Sequence, residues 1–201
     1  MDVPATPTTE GFWRPMISLF LLLSLLAGLC YPLLMTALAE TFFPAQAAGS
    51  LIDRHGQLLG SRLIGQNFSD PGHFWGRLSS TSPMAYNASS SGGSNFGPLN
   101  PALLAAVRLR IQALQAADPG HRGPIPVDLV TASASGLDPE ISLAAADDQV
   151  ARVARVRHLP PMQVQQLVDR QTRGIWLGFL GEPRVNVLQL NLALDRLGYE
   201  R

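Results

Sequence analysis

Two serines, Ser133 and Ser135, sit in Thr131-Ala-Ser-Ala-Ser-Gly136 directly after an apolar run, where a hydrolase would place its nucleophile. Neither has the flanking glycines of the Gly-x-Ser-x-Gly elbow, which turns a strand sharply into a helix and exposes the hydroxyl. The histidines available as a base, His55, His73, His121 and His158, are scattered, and their spacing does not suit a metal. A second candidate is Ser89-Ser-Ser-Gly-Gly-Ser-Asn95. Glycines let successive N–H groups converge on an anion, so Ser90, Gly92, Gly93 and Ser94 are nucleotide-binding candidates, together with Arg152 from the run Arg152, Arg155, Arg157. The same glycines also suit ordinary tight turns. The arginines also suit a solvated helix face or pairing with Asp147, Asp148 and neighbouring subunits. All fifteen basic residues are arginine. Without lysine the chain holds no P-loop, no Ser–Lys hydrolase and no Schiff-base enzyme.

The elements that must position these residues begin with a membrane run. Residues 15–39 carry no charge, and a helix of that length reaches roughly 37 Å against a hydrocarbon core of about 30 Å. Such a run satisfies its own backbone only as a helix. Ala37-Leu38-Ala39 has the form of a signal-peptidase site, and Cys30 stands near a lipoprotein acceptor pattern. The apolar stretch is longer than a signal core and Leu29 replaces the small residue a lipobox needs, so an uncleaved anchor is expected. Ser24, Ala27 and Gly28 form a small-residue patch of the kind that lets membrane helices approach closely. Arg14 precedes the helix and Arg54 lies well beyond it. This predicts a short cytoplasmic tail (residues 1–14), a transmembrane helix (15–39) and a soluble domain outside the cytoplasm (40–201).

The soluble part reads as a single mixed α+β domain. A hairpin is expected from strands at 50–53 and 58–64, and a short strand at 127–131. Helices are expected at 101–117 (capped by Asn100 with Pro101 at the first position), 142–158 and 161–171, followed by a strand at 184–187 and a helix at 188–197. Asp138-Pro139-Glu140 reads as a turn or helix start. Residues 67–100 form a long stretch without regular pattern. It contains Phe68, Phe74, Trp75, Tyr86 and Phe96, which predicts an ordered loop held by aromatics rather than a disordered one. Formal net charge is zero, so nothing points to nucleic acid or to an anionic lipid surface. The single cysteine lies in the membrane run, which excludes an intrachain disulfide.

Several longer segments carry a resemblance: Gly60-Ser-Arg-Leu-Ile-Gly-Gln-Asn-Phe68, Ser91-Gly-Gly-Ser-Asn-Phe-Gly-Pro-Leu-Asn-Pro101, Pro126-Val-Asp-Leu-Val-Thr-Ala-Ser-Ala-Ser-Gly-Leu-Asp-Pro-Glu-Ile-Ser142, Gln149-Val-Ala-Arg-Val-Ala-Arg155 and Gly181-Glu-Pro-Arg-Val-Asn-Val-Leu-Gln-Leu-Asn-Leu-Ala-Leu-Asp195. In this order they resemble the C subunit of the bacterial Kdp potassium-pumping ATPase. Arg77-Leu78-Ser79 departs from it, standing where the family usually has Arg-Pro-Ser. The resemblance implies a non-catalytic accessory subunit in the inner membrane. Its partners would be membrane lipid, a channel-like potassium-translocating subunit and a P-type ATPase subunit. It also implies a chaperone-like role that raises the ATPase subunit's nucleotide affinity, with no cofactor of its own and ATP reached only through that partner. Ser24, Gly28, Asn95, Ser133, Ser135 and Asp138 are the partner-contact candidates. A membrane-anchored serine hydrolase and a tethered ligand-binding module are the alternatives.

Overall fold

In a computed structural model the protein is described from residue 11 to residue 199, side chains to residue 197. It divides into a membrane unit and a soluble unit, with the boundary after Leu51.

One continuous helix runs over Trp13–Phe42, longer at both ends than the uncharged run that predicts it, and it is long and apolar enough to cross a membrane. It has two α-helical halves, α1 (Trp13–Leu25) and α2 (Tyr31–Phe42), joined by a π-helical turn at Leu26–Cys30. The cause is Pro32. It has no N–H for the carbonyl four residues back, and its ring would collide with that carbonyl. Widening the preceding turn, with Tyr31 N–H bonded to the Leu26 carbonyl five residues back, keeps the helix unbroken. A short helix, α3 (Pro44–Ala47), follows.

In the soluble unit, β1 (Leu51–Arg54) and β2 (Gln57–Ser61) form the expected hairpin, with positive φ at His55 (55°) and Gly56 (80°) in its turn. The long helix α4 (Pro101–Ala117) starts as its sequence requires, Asn100 accepting from the Ala102 N–H at 2.9 Å. The expected strand at 127–131 is instead a single helical turn, α5 (Val127–Val130). Its apolar run fits either structure. The Asp128 carboxylate decides the matter by accepting from the N–H and hydroxyl of Ser142 at 2.8 and 3.1 Å, which docks this turn against the start of α6 (Leu143–Arg157). Ser142 in turn caps α6 through the Ala145 N–H. Helix α7 (Pro161–Gln171) follows, opened by its proline.

Three short strands make the second sheet, β3 (Glu140–Ser142), β4 (Thr172–Arg173) and β5 (Arg184–Asn186), in the order β3-β5-β4 and antiparallel throughout. Ile141 faces Val185, and Thr172 faces Val185 from the other side. Glu140 is therefore a strand residue and not a helix start. The last helix, α8 (Val187–Tyr199), leaves β5 directly. Val153 of α6, Val164 and Val168 of α7, Leu190 and Leu194 of α8, Ile141, Val185, Leu129 and Phe74 are all sealed from solvent and form one core.

Candidate partner interface

The loop expected to be ordered by aromatics is ordered by them, and by something the sequence did not disclose. Phe74 and Trp75 lie in the core, in a segment that joins no sheet. Buried backbone without a ladder must find other partners. From Asp70 to Arg77 every carbonyl accepts from a side chain. Trp75 Nε1 donates to Asp70 O at 2.8 Å. Arg152 Nη1 donates to Pro71 O and, at 3.0 Å, to His73 O, while Arg157 Nε donates to Gly72 O at 2.7 Å. Asn191 brackets Phe74, accepting from its N–H at 2.8 Å and donating to its carbonyl at 3.0 Å. Gln149 brackets Trp75 in the same way at 2.7 and 3.1 Å. Arg110 Nη2 donates to Gly76 O at 2.8 Å, and the Tyr86 hydroxyl to Arg77 O at 2.6 Å. Helices α4, α6 and α8 thus act as a surrogate strand for residues 71–76, with Trp75 and Tyr86 holding the carbonyls at either end.

This accounts for the arginine run. Arg152 is 2% exposed and stands over the Trp75 ring at 5.1 Å, with Arg110 over the same ring at 5.0 Å. Burial pushes the Arg152 guanidinium down to about 10 and lowers that of Arg110 as well. Arg155 pairs with Asp118 at 2.8 Å and Arg157 with Asp195 at 2.7 Å, rather than with Asp147 and Asp148. The three arginines do not form a shared solvated face. Spacing on one helix could not reveal this, because the acceptors lie some 80 residues earlier in the chain.

Beyond Arg77 the chain forms a layered pair of loops, and here most of the other candidates converge. Leu78 and Ala132 make a parallel bridge, with Ser133 N–H donating to Leu78 O at 3.3 Å. Ser79 Oγ donates to Gly136 O at 2.6 Å, and Gly65 N–H to Leu137 O at 2.9 Å. Gly92 N–H and Ser91 Oγ both donate to Ser135 O, at 2.9 and 3.0 Å. Gly93 lies so close to the opposite loop that a Cβ on it would stand 2.8 Å from Ala134 O. Asp138 accepts from Arg77 Nη1 at 3.1 Å and from the Glu140 N–H at 3.0 Å. Ser133 is buried; Ser90, Asn95 and Ser135 are exposed, and Ser94 is half-buried. The Ser/Gly stretch spends its Gly92 amide on the neighbouring loop. Arg152 is engaged at residues 71, 73 and 149 and does not join it.

Two cavities flank this pair of loops. One, of about 340 Å³, is bordered by the charged side chains of Arg77, Asp128, Asp138, Glu140, Glu182 and Arg184. The other, of about 420 Å³, is an apolar groove between the loops and α4, bordered by Leu78, Phe96, Leu103, Leu109 and Val130, with Ser94 at its wall. Leu78, where the resembled family usually has proline, lines that groove and bridges to Ala132. His73 and His121 face the carboxylates of Asp195 and Asp148 at 3.2 and 2.8 Å rather than a serine. Among the described residues no cluster of His, Cys, Asp and Glu could hold a metal ion. Ser24 and Gly28 lie in the membrane helix, Gly28 within its π-helical turn and with open space beside it. The arrangement is that of two loops tied to each other by hydrogen bonds.

Residues 13–196 match the family KdpC, described as the c chain of the K+-transporting ATPase. The chain is 67% identical over 188 residues to the potassium-transporting ATPase KdpC subunit of Polaromonas naphthalenivorans (strain CJ2), covering 94% of this chain and 96% of that one. It is 65% identical over 182 residues to the KdpC subunit of Variovorax paradoxus (strain S110), covering 90% and 94%. To that of Herpetosiphon aurantiacus it is 61% identical over 186 residues, covering 92% and 96%.

Proposed function

Since the chain belongs to the KdpC family of potassium-transporting ATPase subunits, we propose that it is the non-catalytic, membrane-anchored partner that holds the other subunits in a productive assembly. Its soluble domain lies outside the cytoplasm. The pair of loops carrying Asn95, Ser135 and Asp138 meets a channel-like potassium-translocating subunit, and Ser24 and Gly28 meet a neighbouring membrane helix. A P-type ATPase subunit completes the complex, and its affinity for ATP is raised through the assembly rather than by a nucleotide bound here. The observation that carries this reading is the commitment of two of the candidate nucleotide groups, Arg152 and the Gly92 amide, to the fold. Arg152 is buried among carbonyls, and the Gly92 amide is bonded to Ser135.

The test is calorimetric titration of the full chain in detergent with ATP, beside co-purification and potassium uptake in cells lacking it. The expected result is ATP binding no tighter than the millimolar range, with loss of assembly or uptake. Micromolar binding abolished by Ser94→Ala overturns the indirect role. Sidedness is read by Ser90→Cys, an exposed position, which is expected to react with a membrane-impermeant maleimide in intact spheroplasts. Labelling only after lysis reverses the orientation.

A further inference from the structure

Residues 174–181, Gly-Ile-Trp-Leu-Gly-Phe-Leu-Gly, carry five large apolar side chains and no charge. They connect β4 to β5, and every one of the five faces outward: Trp176 is 69% exposed, Leu177 66% and Phe179 74%, with Ile175 and Leu180 above 40%. The backbone nonetheless closes a defined turn. Trp176 and Leu180 exchange two hydrogen bonds of 2.9 Å, and Leu177 (φ 52°) and Gly178 (φ 80°) make the turn between them. A non-glycine residue at positive φ, carrying an exposed leucine, is costly to keep in water without a purpose. Contiguous exposed apolar surface on a soluble domain marks a contact, and the paired N–H and C=O groups of Trp176 and Leu180 can be buried there without being left unsatisfied.

We propose that this hairpin is an apolar wedge that seats in a neutral, hydrophobic pocket of another subunit of the same complex. The inference rests on the reading that the chain assembles with partner subunits. The occupant follows from charge and size. The two arginines at the root of the hairpin share one carboxylate, Arg184 with Glu140 at 2.7 Å and Arg173 with it at 3.8 Å, and Glu182 brings the charge of the root to zero. A tip that recruited an anionic bilayer would be ringed by free cations. Five such side chains offer on the order of 500 Å², less than the about 800 Å² per partner of a self-standing interface. The wedge therefore does not make a stable dimer of this chain by itself. It adds to an attachment made elsewhere, and the membrane helix provides one by holding the two subunits at high effective concentration.

The experiment replaces Phe179 with photoreactive benzoylphenylalanine in the full chain, co-expressed with the remaining subunits and irradiated in membranes. The expected product is one adduct with the mass of this chain plus a partner subunit. In parallel, Trp176→Ser with Phe179→Ser is expected to lower recovery of the complex on this chain about tenfold, with the protease resistance of the full chain unchanged. Adducts with lipid only, adducts between two copies, or wild-type recovery of the complex by the double variant overturn the wedge. If the unaltered chain recovers no partner subunit, the proposed function itself fails, which separates the two outcomes.

Discussion

Two eight-residue stretches of this protein solve the same backbone problem in opposite ways. Residues 70–77 have no regular structure, and every carbonyl in them is held by a side chain; Phe74 and Trp75 are in the core. Residues 174–181 close a turn through backbone bonds of their own between Trp176 and Leu180, and the apolar side chains face solvent. Irregular backbone is here the more deeply integrated of the two. Order that borrows donors from three helices ties the loop to the stability of the whole domain. Order that borrows nothing leaves the hairpin free to spend its side chains on something outside the chain.

That contrast can be broken most severely at Arg152. Arg152→Ala deletes the donor to two carbonyls and to Gln149, and the stacking on Trp75. The expected cost is about 3–4 kcal/mol, because it leaves buried acceptors unpaired, read as a fall in Tm of roughly 10 °C. A fall of under about 2 °C would show that the carbonyl capping contributes little.

Gly136→Ala attacks the neighbouring pair of loops. Its φ is +68°, and a Cβ there would stand 2.6 Å from Thr81 Cγ2 and 2.7 Å from Gly92 O. Strain and collision together are expected to cost about 2 kcal/mol in urea unfolding. They should also weaken co-purification with partner subunits, since the surface they distort is the proposed interface.

Tyr86→Phe removes the donor to Arg77 O and is expected to cost about 1 kcal/mol near pH 8. Burial raises the Tyr86 phenol above its ordinary 10.0. The folded chain then keeps a proton that the unfolded chain gives up near pH 10, so this contribution is complete below pH 10 and is lost as pH rises through the folded pKa. Arg152, pushed down to about 10, runs the other way: the cost of burying its charge is present below pH 10 and is relieved as pH rises above it toward the ordinary guanidinium range. The phenylalanine variant should therefore lose less stability than the parent above pH 10. Equal alkaline slopes in urea melts would remove the tyrosine from the account.

The smallest effect belongs to the hairpin. Trp176→Ser and Phe179→Ser are each expected to change unfolding stability by no more than about 0.5 kcal/mol, as exposed positions do. A loss of several kcal/mol would show that the tip is part of the core after all.

Much of the scaffold was legible because it is local. Asn100-Pro101 and Pro161 state where α4 and α7 begin, Ser142 caps α6, and the apolar run of the membrane helix needs no partner to be recognised. The strand expected at residues 127–131 failed because a short apolar run fits either a helical turn or a strand, and Asp128 found Ser142. Strand β3 was missed because three residues carry too little periodicity to announce a sheet whose partner lies at 184–186. Among the site residues, the neighbourhood of Ser135 and Gly92 was invisible, since the loops that meet there are over 40 residues apart.

By itself the sequence determined the membrane helix, the starts of the longer helices and the absence of lysine chemistry, because each depends on residues within one or two turns of each other or on composition alone. Only the tertiary structure decided that Arg152 is a buried carbonyl cap rather than a surface cation, and that Gln149 and Asn191 stand in for a missing strand. It alone decided that five apolar side chains at residues 175–180 find no place in the core. The reason is physical: a donor's role is set by the acceptor it meets, and here those acceptors lie 74 to 117 residues away along the chain.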